Sequence, residues 1–294
     1  MASLLAKVKT KLFIVAHRRT WGLLDGEYAS VFRGRSLDYD DLREYVPGDE
    51  IRDIDWKATA RHGSPLVKRY VATRKQTVLL VVDTGRSMAA VAESGEPKKS
   101  VAILVAGMLA YLAVRHGDHV GLVEGDATGS RLHEAKGTEA HLERLLRAID
   151  RSCTLDAGPS RFADQLRYLA DHVTKRCLVL VVSDDAALTE DDTALLRRIH
   201  AQHEILWVSV IDADPTAYQV RRAAQEVSDG SLLPAAVRGG GRLQTAYLEA
   251  ADARRQALDA QLGALAITRA WVGSTSAAVS TVFTLLERQR RRAH

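Results

Sequence analysis

The chain has 294 residues, 46% of them apolar and 27% charged, with a formal net charge of +4 and a pI near 9.1. That balance is ordinary for a globular protein of one or two domains with a substantial core. The two cysteines, Cys153 and Cys177, form no CxxC or CxH pairing, which argues against a disulfide framework or zinc site and fits a reducing compartment.

Residues 1–20 read as a short amphipathic helix with Leu4, Leu5, Val8, Leu12 and Val15 on one side. The apolar run Leu12 to Ala16 is too short for a membrane helix or a signal peptide, so the chain reads as cytoplasmic. Residues 21–76 carry turn signals at Pro47-Gly48-Asp49 and Gly63-Ser64-Pro65 and read as a small β-rich segment. Its expected strands are Tyr45-Val46 and Leu66 to Val71.

From residue 77 the pattern changes. Thr77 to Val82, Cys177 to Val182 and Glu204 to Ile211 are near-continuous apolar runs, as in strands buried on both faces. His119 to Val123 predicts a further strand, and Arg131 to His133 an edge strand. Helical spacing covers 98–115, about 138–150, 160–174, 189–203 and 216–228. Thr189 with Asp192 three residues on reads as a capped helix start. The alternation predicts an α/β fold, a mainly parallel sheet with helices on both faces, over residues 77–238. Beyond the break at Gly239-Gly240-Gly241, residues 239–294 read as a helical extension, with helices at 247–265 and 279–292 and a basic tail.

In such a sheet, ligands bind beyond the carboxyl ends of the strands. Asp83 and Asp184 follow two neighbouring strands, Ser87 lies just beyond Asp83, and Ser160 opens a helix. Two carboxylates and two hydroxyls suit a hard cation such as magnesium. The same aspartates also suit helix caps or loop anchors. Asp83-Thr84-Gly85-Arg86-Ser87 resembles the Asp-x-Ser-x-Ser motif of von Willebrand factor A-type domains. That resemblance implies a metal-ion-dependent adhesion site holding Mg2+ through Asp83, Ser87, Ser160 and Asp184. Gly85 replaces the middle serine, so the site is degenerate.

The block Arg43, Glu44, Tyr45, Pro47, Gly48, Asp49, followed by Arg52, Ile54, Asp55, Trp56, Ala60 and Arg61, resembles the motif of the domain-of-unknown-function 58 family. Pro47-Gly48 favours a type II turn. The alternating arginines and acids allow bidentate pairs, in a clip docking this segment onto the sheet or in a partner-recognition surface. The resemblance covers residues 20–235 and implies a non-catalytic adaptor, working with a MoxR-type AAA+ ATPase and its client proteins in chaperone-like or complex-maturation activity. Two other functions stay open: a metal-dependent hydrolase at the Asp83/Asp184 rim, and a peripheral membrane adaptor using the basic termini on an anionic surface. No P-loop or aromatic-interleaved basic stripe is present, which argues against a P-loop ATPase and a specific single-stranded nucleic-acid binder, and Gly85-Arg86-Ser87 lacks the nucleophile-elbow pattern.

Overall fold

The structure is a computed structural model, and it describes residues 3–15, 24, 26, 28, 41–49, 51, 54–69, 75–184, 188–215, 227, 231–232 and 241–293. The helix expected at 216–228, the Gly239-Gly240 pair and Arg52 lie outside these residues, except Ser228's neighbour Val227. In chain order the elements are α1 (Leu4–Val15), β1 (Asp41–Glu44), α2 (Trp56–His62), β2 (Leu66–Arg69), β3 (Thr77–Asp83) and α3 (Lys98–Arg115). There follow β4 (His119–Asp126), β5 (Gly129–Lys136), α4 (Glu139–Ser152), α5 (Phe162–His172), β6 (Leu178–Ser183) and α6 (Glu190–Gln202). The chain closes with β7 (Glu204–Val210), α7 (Arg242–Ala264), β8 (Thr268–Val272) and α8 (Ala278–Ala293).

Six strands form one sheet in the order β5-β4-β3-β6-β7-β8. All neighbouring pairs are parallel except β4 with the edge strand β5. Numbered within the sheet this is the order 3-2-1-4-5-6 of a doubly wound α/β fold, with the switch point between β3 and β6. The α/β architecture expected from the apolar runs is therefore the architecture of the molecule.

The period-2 alternation of the central strand divides the interior into two cores. Val78, Leu80 and Val82 face a core shared with α1, α3, α4 and α8. Leu79 and Val81 face a second core built with α5, α6 and α7. Trp207, 1% exposed, anchors the second core edge-to-face against Phe162. Helix α6 starts at the expected capping box of Thr189 and Asp192. Both cysteines are buried, and burial pushes their thiols up, Cys177 to about 12.

Two boundaries differ from the sequence reading. The sheet does not end at residue 238, because β8 pairs in register with β7 from Leu206↔Thr268 to Val210↔Val272. The stretch Thr-Arg-Ala-Trp-Val hid this strand by placing an arginine and a tryptophan in it. Inside the fold Arg269 Nη1 donates to Asp259 at 2.9 Å and its guanidinium stacks 3.5 Å from the Trp271 ring centre. Helix α1 is part of the first core, with Leu5, Val8 and Leu12 buried and Glu143 accepting from the N–H groups of Leu4 and Leu5.

The family-motif block forms β1, α2 and β2, a two-stranded antiparallel sheet around a short helix. The strands lie at 41–44 and 66–69, so Tyr45-Val46 sits just past β1. Helix α2 was not anticipated; Asp55 caps it by accepting from the N–H groups of Lys57 and Ala58. No described helix is long and apolar enough to cross a membrane.

Candidate functional site

Asp83 is the last residue of β3 and Asp184 follows the end of β6, so the switch point brings both carboxylates to one rim. Ser87 lies in a 3-10 turn at Arg86–Ala89, which points its hydroxyl at the same place. Ser87 Oγ donates to Asp184 Oδ2 at 2.7 Å, and Ser160 Oγ lies 2.5 Å from Ser87 Oγ. With the Ser87 proton given to Asp184, Ser160 is the donor of that second bond. The loop carrying Ser160 is tied down by Arg86, whose N–H donates to Gly158 O and whose Nε donates to Ala157 O.

Asp83 is fully buried. Its Oδ1 accepts from the Gly85 N–H at 2.8 Å, whereas Oδ2 has no hydrogen-bond partner among the described residues. Burial, and then the Asp184 carboxylate, push the Asp83 carboxyl up to about 7. The Gly85 N–H, the Ser160 hydroxyl and the Lys98 ammonium act in the opposite direction.

Gly85 is required here for steric reasons. A Cβ on it would overlap Ser160 Oγ and lie 2.5 Å from Ser160 Cα and 2.7 Å from Ser160 N. The position that a middle serine would fill is thus occupied by Ser160 itself. The missing hydroxyl and the close approach of the 158–160 loop are one feature.

Two charged residues join the rim that the motif did not indicate. Lys98, 1% exposed at the start of α3, places Nζ 2.5 Å from Asp212 Oδ1 and 3.8 Å from Asp184 Oδ2. A cation at a helix N-terminus opposes the helix dipole. That mismatch is the sequence signal for a residue held by outside carboxylates. Asp212 follows the end of β7, so three successive parallel strands contribute an aspartate to this rim.

The four residues Asp83, Ser87, Ser160 and Asp184 converge as the motif implies. They fit a small hard cation by chemistry: all donors are oxygens, and a buried carboxylate oxygen is left over. Among the described residues no group of three or more His, Cys, Asp or Glu side chains is placed to hold a metal. A cation here would rest on two carboxylates and two hydroxyls, with Lys98 competing for Asp184.

The motif block is organised around its own turn. Gly48 has φ 115° and the Asp49 N–H donates to Val46 O at 3.0 Å, the type II geometry that Pro47-Gly48 favours. Arg43 Nη2 pairs with Asp49 Oδ1 at 2.5 Å, and this pair lowers the Asp49 carboxyl below its ordinary range. The Tyr45 N–H donates to Pro65 O, Ser64 Oγ donates to Glu44, and Asp55 caps α2. Trp56 and Arg61 are exposed. These bonds lie within the block, beside the two roles expected for it, a clip onto the sheet and a partner-recognition surface.

Residues 41–220 match the family described as "Protein of unknown function DUF58". The chain belongs to the DUF58 family. It is 27% identical over 213 residues to uncharacterized proteins of Mycobacterium bovis and Mycobacterium tuberculosis, covering 71% of this chain. The chain spans about 65% of the length of those relatives. Among solved structures, this DUF58 chain is similar to von Willebrand factor type A from Catenulispora acidiphila, at 13% identity and TM-score 0.41, over 76% of this chain and 44% of that one. It is also similar to the PilB minor pilin from Streptococcus sanguinis, at 9% identity and TM-score 0.41, over 77% of this chain and 64% of that one. The fold itself is fixed by strand order and hydrogen bonding.

Proposed function

We propose that this chain is a non-catalytic interaction module that docks partner proteins on the rim formed by Asp83, Ser87, Ser160 and Asp184. Its partner in this reading is a MoxR-type AAA+ ATPase, acting in the cytoplasm on client proteins in a chaperone-like or complex-maturation role. One observation carries the reading: a buried carboxylate with an unpartnered oxygen sits at the switch point beside two ordered hydroxyls. A buried carboxylate oxygen left without a donor among the described residues is a group that a ligand from outside the chain can satisfy.

The hydroxyls support binding rather than bond cleavage. Ser87 gives its proton to a carboxylate that Lys98 already faces, not to an imidazole or a free amine, and Ser160 donates in turn to Ser87. Neither oxygen is set up as a nucleophile. Asp83, Ser87, Ser160 and Asp184 would hold a magnesium ion, whose contribution is an open position for a partner's carboxylate. The basic termini support membrane attachment less well, since Lys9 pairs with Glu139 at 2.6 Å and Arg291 with Glu287 at 2.7 Å.

The test is capture of a MoxR-type ATPase by the full chain, with and without magnesium, for the natural protein and for Asp83→Ala. The expected result is binding that weakens about tenfold or more in the variant, the scale of a hydrogen bond to a charged group. Absence of capture together with magnesium-dependent phosphoester turnover would replace this reading with the hydrolase. Salt-sensitive attachment to anionic liposomes would favour the membrane adaptor.

A further inference from the structure

The end of β4 and Ala157 border a cavity of about 380 Å³. Thr84, Glu124, Asp126, Ser130, Ser152 and Thr154 are among the residues that line it. Glu124 is the unusual member. It is 3% exposed, its Oε1 accepts from His133 Nε2 at 2.9 Å, and its Oε2 is buried with no hydrogen-bond partner among the described residues.

Two other polar wall residues, Asp126 and Thr84, are engaged within the chain. Asp126 Oδ1 accepts from the Thr128 N–H and hydroxyl, and Oδ2 accepts from the Gly158 N–H at 2.7 Å. Thr84 Oγ1 donates to Gly125 O at 3.1 Å. The buried acceptor left without a donor on this wall is Glu124 Oε2. A buried carboxylate oxygen with no donor is costly, and a cation that brings N–H groups relieves the cost through charge-assisted hydrogen bonds. The cavity is far larger than a metal ion needs, and no group of three metal-ligating side chains surrounds it among the described residues. Arg131, the cross-strand neighbour of Glu124, also lines the cavity and is exposed, so a bound cation shares the site with this guanidinium.

We propose that this cavity binds a guanidinium or primary ammonium group, with Glu124 Oε2 as the acceptor and the threonine and serine walls admitting its polar edge. The site does not rest on the aspartate rim, since none of Asp83, Ser87, Ser160 and Asp184 lines it. The chemistry has two sources, a free small amine or the basic side chain of a partner protein.

The probes are agmatine and a blocked pentapeptide with one central arginine, titrated into the full chain by calorimetry. Saturable binding of either is expected, weakened about tenfold or more by Glu124→Gln. Thr154→Trp, at an exposed position on the mouth, should block the same binding without touching the carboxylate. Tighter binding of agmatine assigns a free amine, and tighter binding of the peptide assigns a partner side chain. Asp184→Asn should leave both titrations unchanged while weakening ATPase capture, so the two sites can fail independently. If neither probe binds, or if binding survives both Glu124→Gln and Thr154→Trp, the assignment is wrong.

Discussion

A carboxyl lifted by burial leaves a mark on stability. Burial pushes the Asp83 carboxyl up to about 7 in the folded chain against an ordinary 3.8, so between these values the folded state holds a proton that the unfolded state has lost. The resulting stabilisation is complete below pH 4 and disappears as the pH rises through 7. At about 1.4 kcal/mol per pH unit this amounts to a few kcal/mol. Urea unfolding should therefore show the natural chain losing stability between pH 5 and 8, while Asp83→Asn, always neutral there, shows a flatter profile. Gly85 makes a second prediction. Gly85→Ser restores the motif on paper, yet its Cβ would collide with Ser160, so it should cost about 1–3 kcal/mol of stability, read as a lower Tm. The aspartates and serines of this rim were legible in the sequence because strand ends announce themselves. The reason for Gly85 was not, since it depends on a loop far along the chain, and Lys98 offered only its position at a helix start.

Among the elements, β3, β6 and β7 were readable because each is a run of apolar residues flanked by turns. Strand β8 was not, because its arginine and tryptophan break the apolar run, and the groups that bury the arginine, Asp259 on α7 and Ser209 on β7, do not mark a strand in the sequence. Helix α2 was missed for the opposite reason. It is short and has no buried residue, so it lacks the apolar stripe that marks a longer helix. Its order depends on its ends, with Asp55 at one and Gly63, at φ 87°, at the other. Asp55→Ala should cost about 1 kcal/mol within the motif block. Hydrogen exchange is the measurement: the amides of Lys57 and Ala58 should exchange faster, while those of β3 and β6 stay as they were.

For the molecule as a whole, the rim lies at the carboxyl ends of β3, β6 and β7, while the motif block is a separate two-stranded unit around α2. The proposed partner therefore has two surfaces to read, and they are separable by mutation. Ser87→Ala should weaken ATPase capture at an unchanged Tm. Arg43→Ala should do so only if the block also touches the partner, with pull-down yield as the readout. Helix α1 has a more practical consequence. It lies over α3 so closely that a Cβ on Gly107 would meet Val8 Cγ2 at 2.7 Å, and Leu5 and Leu12 complete the seam. A recombinant fragment trimmed to begin at the sheet would carry that seam bare into solvent, as a contiguous apolar strip of the sort that drives self-association. It should leave a sizing column as aggregate where the full chain elutes as a defined species, which makes the first fifteen residues a matter of solubility as much as of fold.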